Sequence, residues 1–158
     1  MSFQDVVIGE QEFAAINDCL RGFLRESEAK CAILVDRDGQ MLARQGFTQD
    51  LDTVSLAALT AGAIASTQEI ARLLGEPEFT VLFHQGQREH IHFSLVGTRA
   101  IMMSVFDDRT TIGLIRLVAS KAVGLLAAQM SAPHLPPLNI GGEVAGFVER
   151  MDSVMGVE

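Results

Sequence analysis

Asp52-Thr53-Val54-Ser55-Leu56-Ala57-Ala58-Leu59-Thr60-Ala61-Gly62-Ala63-Ile64-Ala65-Ser66-Thr67-Gln68-Glu69-Ile70 is the stretch on which the reading of the whole chain depends. Its alanines and leucines favour helix, Asp52 or Thr53 is available as N-cap, and Gly75-Glu76-Pro77 is a stop signal. At 3.6 residues per turn, Leu56, Leu59, Ala63, Ile70 and Leu74 fall on one side, which reads as the core stripe. The opposite side carries Ala57, Ala58, Ala61, Gly62 and Ala65 where a solvated helix shows lysine and glutamate. No charged residue stands between Asp52 and Glu69. A helix apolar on one face and small on the other is expected to lie between two layers, because small side chains let a second backbone approach without desolvating charge. Propensity alone also explains an alanine-rich surface helix. A membrane span needs ~20 predominantly apolar residues, and serine, threonine and glutamine interrupt this one. The helix therefore reads as a docking surface for another protein.

Upstream, Phe13, Ile16, Cys19, Leu20, Phe23 and Leu24 follow helical spacing across 10–25, after a short extended lead-in over 5–8. Cys31-Ala32-Ile33-Leu34-Val35 reads as a central strand, apolar on both faces. Asp36-Arg37-Asp38-Gly39 is a hairpin turn into a more polar edge strand over 40–45. Downstream, Phe79, Val81 and Phe83 alternate onto one side of a strand. Ile91, Phe93 and Leu95 are expected to face inward from the next strand, with His90, His92 and Ser94 on a wetter side. Ala100 to Phe106 is a further central strand. Asp107 to Thr111 supplies N-cap candidates for a helix through Gln129 that buries Leu114, Leu117, Val118 and Leu125. The order α-β-β-α-β-β-β-α predicts an α+β fold, a five-stranded antiparallel sheet with helices on both faces. This domain spans 1–130; Pro133, Pro136, Pro137, Gly141 and Gly142 mark 131–142 as a linker, and 143–158 reads as a tethered amphipathic helix.

With 158 residues the chain suits one domain and a modest tail. A net charge of −8, with only Lys30 and Lys121 as lysines and the arginines scattered, argues against nucleic acid or an anionic membrane as partner. Cys19 and Cys31 form no disulfide framework or zinc spacing. With no basic segment and apolar run at the N-terminus, a cytoplasmic protein is expected.

Chemistry-bearing residues are sparse. His84, His90 and His92 cluster near a hairpin, but no fitting carboxylate or cysteine completes a metal set, so no metal is expected. Asp107 and Asp108 read as capping residues rather than magnesium ligands. Arg99 and Arg109 read as structural or solvated rather than as arginine fingers. Phosphate-binding, dinucleotide, zinc-protease and hydrolase-elbow motifs do not occur. No catalytic residue and no cofactor are assigned, and the protein is not expected to be an enzyme.

Three stretches carry a resemblance: Ile33-Leu34-Val35-Asp36-Arg37-Asp38-Gly39-Gln40, Asp52 to Gly62, and Val105-Phe106-Asp107-Asp108-Arg109-Thr110-Thr111-Ile112-Gly113-Leu114-Ile115-Arg116-Leu117. From Val6 to Gln129 the chain resembles the Roadblock/dynein light-chain family. The resemblance implies a homodimer joined edge to edge through the strand carrying Phe79, Val81 and Phe83, with the two central helices side by side. It implies a small Ras-like GTPase docked over those helices, at Ala58, Ala61, Gly62, Ala65, Ser66 and Glu69. Hydrolysis would be accelerated by stabilising the GTPase's own residues, with no inserted arginine, in the service of bacterial polarity and motility at a cell pole. The C-terminal helix, through Phe147, Val148 and Met151, would reach the GTPase separately and bear on nucleotide exchange. Two other readings compete: a Roadblock scaffold that recruits without activating, and a small-ligand or metal sensor built on the three histidines.

Overall fold

The computed structural model describes residues 8–131; the lead-in before Ile8, the expected linker beyond 131 and the expected C-terminal helix, with Phe147, Val148 and Met151, lie outside them. The elements are α1 (Glu10–Ser27), β1 (Cys31–Asp36), β2 (Met41–Gly46), α2 (Thr53–Leu74), β3 (Val81–Gln85), β4 (His90–Val96), β5 (Ala100–Phe106) and α3 (Ile112–Ser131). All four pairings are antiparallel, and the strand order is β2-β1-β5-β4-β3. β1 and β5 are buried along their whole length, as their unbroken apolar runs require, and β2 and β3 are the edges. β2 exposes Arg44 along its edge, and its pairing with β1 shifts register between Leu34 and Val35.

Alternation along the strands divides the core into two layers. Ile16, Leu20, Phe23, Ala32, Leu34, Met102, Phe106, Ile115, Val118 and Leu126 fill the layer between the sheet and the α1–α3 pair. Cys31, Ile33, Val35, Phe93, Leu95, Ile101, Met103 and Val105 fill the layer under α2. The Cys19 thiol donates to the Ala122 carbonyl at 3.6 Å and ties α1 to α3. Burial pushes both cysteine thiols above their ordinary pKa, so they stay protonated.

α2 begins and ends where its sequence signals stand. The Asp52 carboxylate accepts from the Ser55 amide at 3.1 Å. Gly75 takes φ 77°, and the Glu76 amide closes onto the Ala71 carbonyl at 2.9 Å. The orientation of the helix corrects the sequence reading. Thr53, Ala57, Thr60, Ala61, Ile64 and Ala71 face the sheet, and the Thr60 hydroxyl donates to the Met103 sulfur at 3.3 Å. Leu59, Ile70 and Leu74, expected in the core, are 69%, 52% and 67% exposed. Ala57 and Ala61 of the small stripe thus let α2 settle close onto the sheet, Ala58, Gly62 and Ala65 stay exposed, and Leu59, Ile70 and Leu74 of the large stripe are left outside.

α3 is rotated in a similar way: Ile115, Val118, Ala119, Ala122 and Leu126 are buried, whereas Leu117 and Leu125 are exposed. Its cap is Thr111, whose hydroxyl accepts from the Leu114 amide at 3.2 Å; Asp107 instead accepts from the Arg109 amide within the preceding turn. Although α3 is long and apolar enough to cross a membrane, one side of it forms core with α1 and the sheet. β3 starts at Val81, so Phe79 precedes the strand. His90, His92 and Ser94 are 7%, 1% and 5% exposed, not on a wetter face, because α3 covers that side of β4.

Candidate functional site

The outward surface of α2 is the site that the fold sets apart. Five strands at ~4.8 Å make a sheet about 20 Å wide, and packed helices sit 8–10 Å apart, so roughly two helices cover one face. α1 and α3 do so on one side; α2 is alone on the other, in contact with β1, β2 and β5. The β4–β3 end of that face keeps Leu82 and Ile91 only partly buried. Beside it, α2 exposes Leu59, Ile70, Leu73 and Leu74, whereas Val81 of β3 is exposed on the opposite, α3 side of the sheet. Of these, Leu59, Ile70 and Leu74 are the residues that the sequence reading placed in the core. The available signal was a second stripe of large apolar residues on a helix that already owned a small one.

The other exposed flank of α2 carries five of the six positions proposed for a partner. Ala58, Gly62, Ala65, Ser66 and Glu69 are exposed, and a Cβ added at Gly62 would meet nothing within 4 Å. Ala61 departs from the set: at 8% exposure it packs toward the sheet. The β1–β2 turn walls this flank. Asp36, itself buried, accepts from the Asp38 and Gln40 amides at 3.0 and 2.8 Å and so shapes the turn. Gly39, at φ 91°, comes so near α2 that a Cβ there would lie 3.0 Å from the Ala58 Cα. Glu78 joins the turn to the helix, taking Arg37 at 3.4 Å and Gln68 at 3.3 Å. Glu69 pairs with Arg72 along the helix, which holds the Arg72 guanidinium above its ordinary pKa. The result is a ridge of small side chains with charged pairs at its border, suited to contact with a protein.

At the sheet edge, Val81 is 47% exposed, while Phe79 and Phe83 are half-buried. The Phe83 ring stacks on Phe106 at 6.0 Å. The histidines do not assemble. His84 lies on the α2 side, its ring 5.4 Å from that of Phe93. His90 and His92 lie on the α3 side of the same sheet. Gly86 donates its amide to His90 Nδ1 at 3.2 Å, which leaves Nε2–H to donate to Asp108 at 3.1 Å. His92 Nδ1 lies 3.2 Å from the Ser94 hydroxyl, and its Nε2 has no partner. Burial, with the nearby Arg116 charge, lowers its pKa from 6.5 to about 4. Among the described residues, no three His, Cys, Asp or Glu side chains group as metal ligands. Arg109 is held by Asp107 at 3.0 Å and Lys30 by Glu89, so both cations are engaged within the protein.

Comparison with known proteins agrees with this geometry. A Roadblock/LC7 domain model matches residues 15–106. The chain is similar to MglB of Myxococcus xanthus, at 40% identity and TM-score 0.74 over 77% of this chain and 92% of that one. It is similar to the gliding protein MglB of Thermus thermophilus, at 32% identity and TM-score 0.74 over 82% and 98%. An MglB described in a tetrameric arrangement matches at 31% identity and TM-score 0.75 over 82% and 97%. No curated protein matches the chain. With the fold, the matched span and these identities in agreement, the chain belongs to the Roadblock/LC7 family.

Proposed function

We propose that this protein is a homodimeric regulator of a small Ras-like, MglA-like GTPase, and that it stimulates GTP hydrolysis without an active site of its own. The observation that carries the reading is the double exposure of α2: a large apolar stripe on one flank and, on the other, small residues that are uncharged up to Glu69. The large stripe lies beside the uncovered end of the sheet and the β3 edge, so a second copy pairing along β3 brings its own α2 to cover both. The tetrameric arrangement named for one relative supports self-association of this kind. The paired helices then present Ala58, Gly62, Ala65, Ser66 and Glu69 to the GTPase.

Activation by such a surface is a population shift. A platform that binds only the hydrolysis-competent switch arrangement raises its occupancy by the difference in affinity, tenfold for each ~1.4 kcal/mol. The regulator acts in the cytoplasm and at a cell pole, in polarity or gliding. The 143–158 segment, through Phe147, Val148 and Met151, contacts the GTPase separately and bears on exchange. The test is Ala65→Arg, which puts a long cation on an exposed position and leaves the sheet side of α2 untouched. In single-turnover assays with the cognate GTPase, stimulation is lost while the dimer persists in sedimentation. Undiminished stimulation refutes the docking site; wild-type binding without stimulation leaves the scaffold role.

A further inference from the structure

We propose that the cavity between α3 and the β3–β4 end of the sheet binds a small organic monocarboxylate, with Arg116 and His92 as its polar anchors. The cavity measures about 500 Å³, within the ~300–1,000 Å³ typical of ligand sites. It lies on the face of the sheet opposite α2, away from the surface assigned above to the GTPase, and rests on none of that reading. Its floor is buried and its mouth is open: His92, Ser94 and Leu95 lie below, while Thr80, Arg116 and Ser120 are exposed around the rim.

Two groups there have no partner within the protein. Arg116 has no ion-pair partner among the described residues, in a chain whose net charge is −8. A guanidinium is a planar fork of donors matched to a carboxylate. His92 is 1% exposed, and its Nε2 is unpaired. A buried polar atom without a partner costs about 1–3 kcal/mol. If the Ser94 hydroxyl donates to Nδ1, the free nitrogen carries the proton and is a buried donor for which the protein supplies no acceptor. One cation, one neutral imidazole and the Thr80 and Ser120 hydroxyls suit a single negative charge; a phosphate dianion calls for a second cation. Val81 and Val123 complete the wall, so the body behind the carboxylate is aliphatic.

The test uses the full-length protein and a series of straight-chain monocarboxylates from acetate to octanoate, with the matching primary alcohols as controls. Binding is followed by calorimetry and by the His92 imidazole resonances in NMR. Saturable binding that strengthens with chain length, shifts the His92 signals and is roughly tenfold weaker in Arg116→Gln is the expected result. Ser120→Leu, an exposed substitution at the rim, blocks binding and leaves the fold intact by circular dichroism. Absence of saturable binding overturns the proposal. So does equal affinity for the alcohols, or affinity unchanged in both variants.

Discussion

Ile64 and Ile70 are the same residue on the same helix, 4% and 52% exposed, and truncating each to alanine tests which way α2 faces. The gain in helix propensity on replacing isoleucine by alanine is common to both and cancels in the comparison. Ile64 packs in the layer under α2 with Ile33, Phe93 and Met103. Its loss removes buried area and leaves a void, at about 2–5 kcal/mol. Ile70 is half-buried within the protomer, so by area its truncation costs the isolated chain about 1 kcal/mol. The other half is available to a second copy; with two copies per dimer, the loss there is about 2 kcal/mol, roughly thirtyfold in the dimer Kd. Urea unfolding at protomer concentrations a hundredfold apart separates the two, because dimer stability depends on concentration and protomer stability does not. Ile64→Ala lowers stability equally at both concentrations, and Ile70→Ala raises the dissociation constant in sedimentation. Equal losses for the two variants at high dilution would mean that α2 is turned differently, and the argument for a docking face would fail.

Acid sensitivity follows from His92. The unfolded chain takes up its proton near pH 6.5 and the folded chain only near pH 4, so the contribution is intact above pH 6.5 and is lost as pH falls toward 4. At up to ~1.4 kcal/mol per pH unit, about 2 kcal/mol disappears by pH 5; unfolding midpoints of the native protein fall between pH 7 and 5, and those of His92→Gln fall less. Gly39→Ala and Gly75→Ala form a second pair, both at positive φ, but only the first meets a backbone atom, the Ala58 Cα. The left-handed backbone costs each about 1–2 kcal/mol, and crowding adds about 1–3 kcal/mol at Gly39; equal midpoints in thermal unfolding would refute the close approach of turn and helix. Because that approach sets the position of Ala58, the proposed function requires that Gly39→Ala also weaken GTPase stimulation and that Gly75→Ala leave it unchanged.

The element order, the hairpin at Gly39, the centrality of β1 and β5 and both ends of α2 were legible in the sequence, since each rests on a local signal. The facing of the helices was not. Periodicity finds a stripe such as Leu56, Leu59, Ala63, Ile70 and Leu74, but it carries no sign, and the rule that large apolar residues point inward fails where smaller ones let the helix come closer to the sheet. Ala57 and Ala61 do the inner packing because a helix set on a flat sheet gains from short side chains. The strand carrying His90, His92 and Ser94 misled for a related reason. Polar residues at alternate positions read as solvent-facing, yet α3, contributed from further along the chain, closes over them. The cavity at Arg116 was illegible on the same ground, being assembled from β3, β4 and α3.

The inequality of the two sheet edges bears on the size of the assembly. A ribbon with two equally receptive borders recruits copies without end, as fibrils do. Here β2 offers the cation of Arg44 and a displaced register, whereas β3 offers exposed Val81 on one face and half-buried Leu82 on the face that carries the apolar stripe of α2. On the proposed pairing, union of β3 with its own twin uses up the inviting border and turns two guarded ones outward, so growth along the sheet stops at a pair.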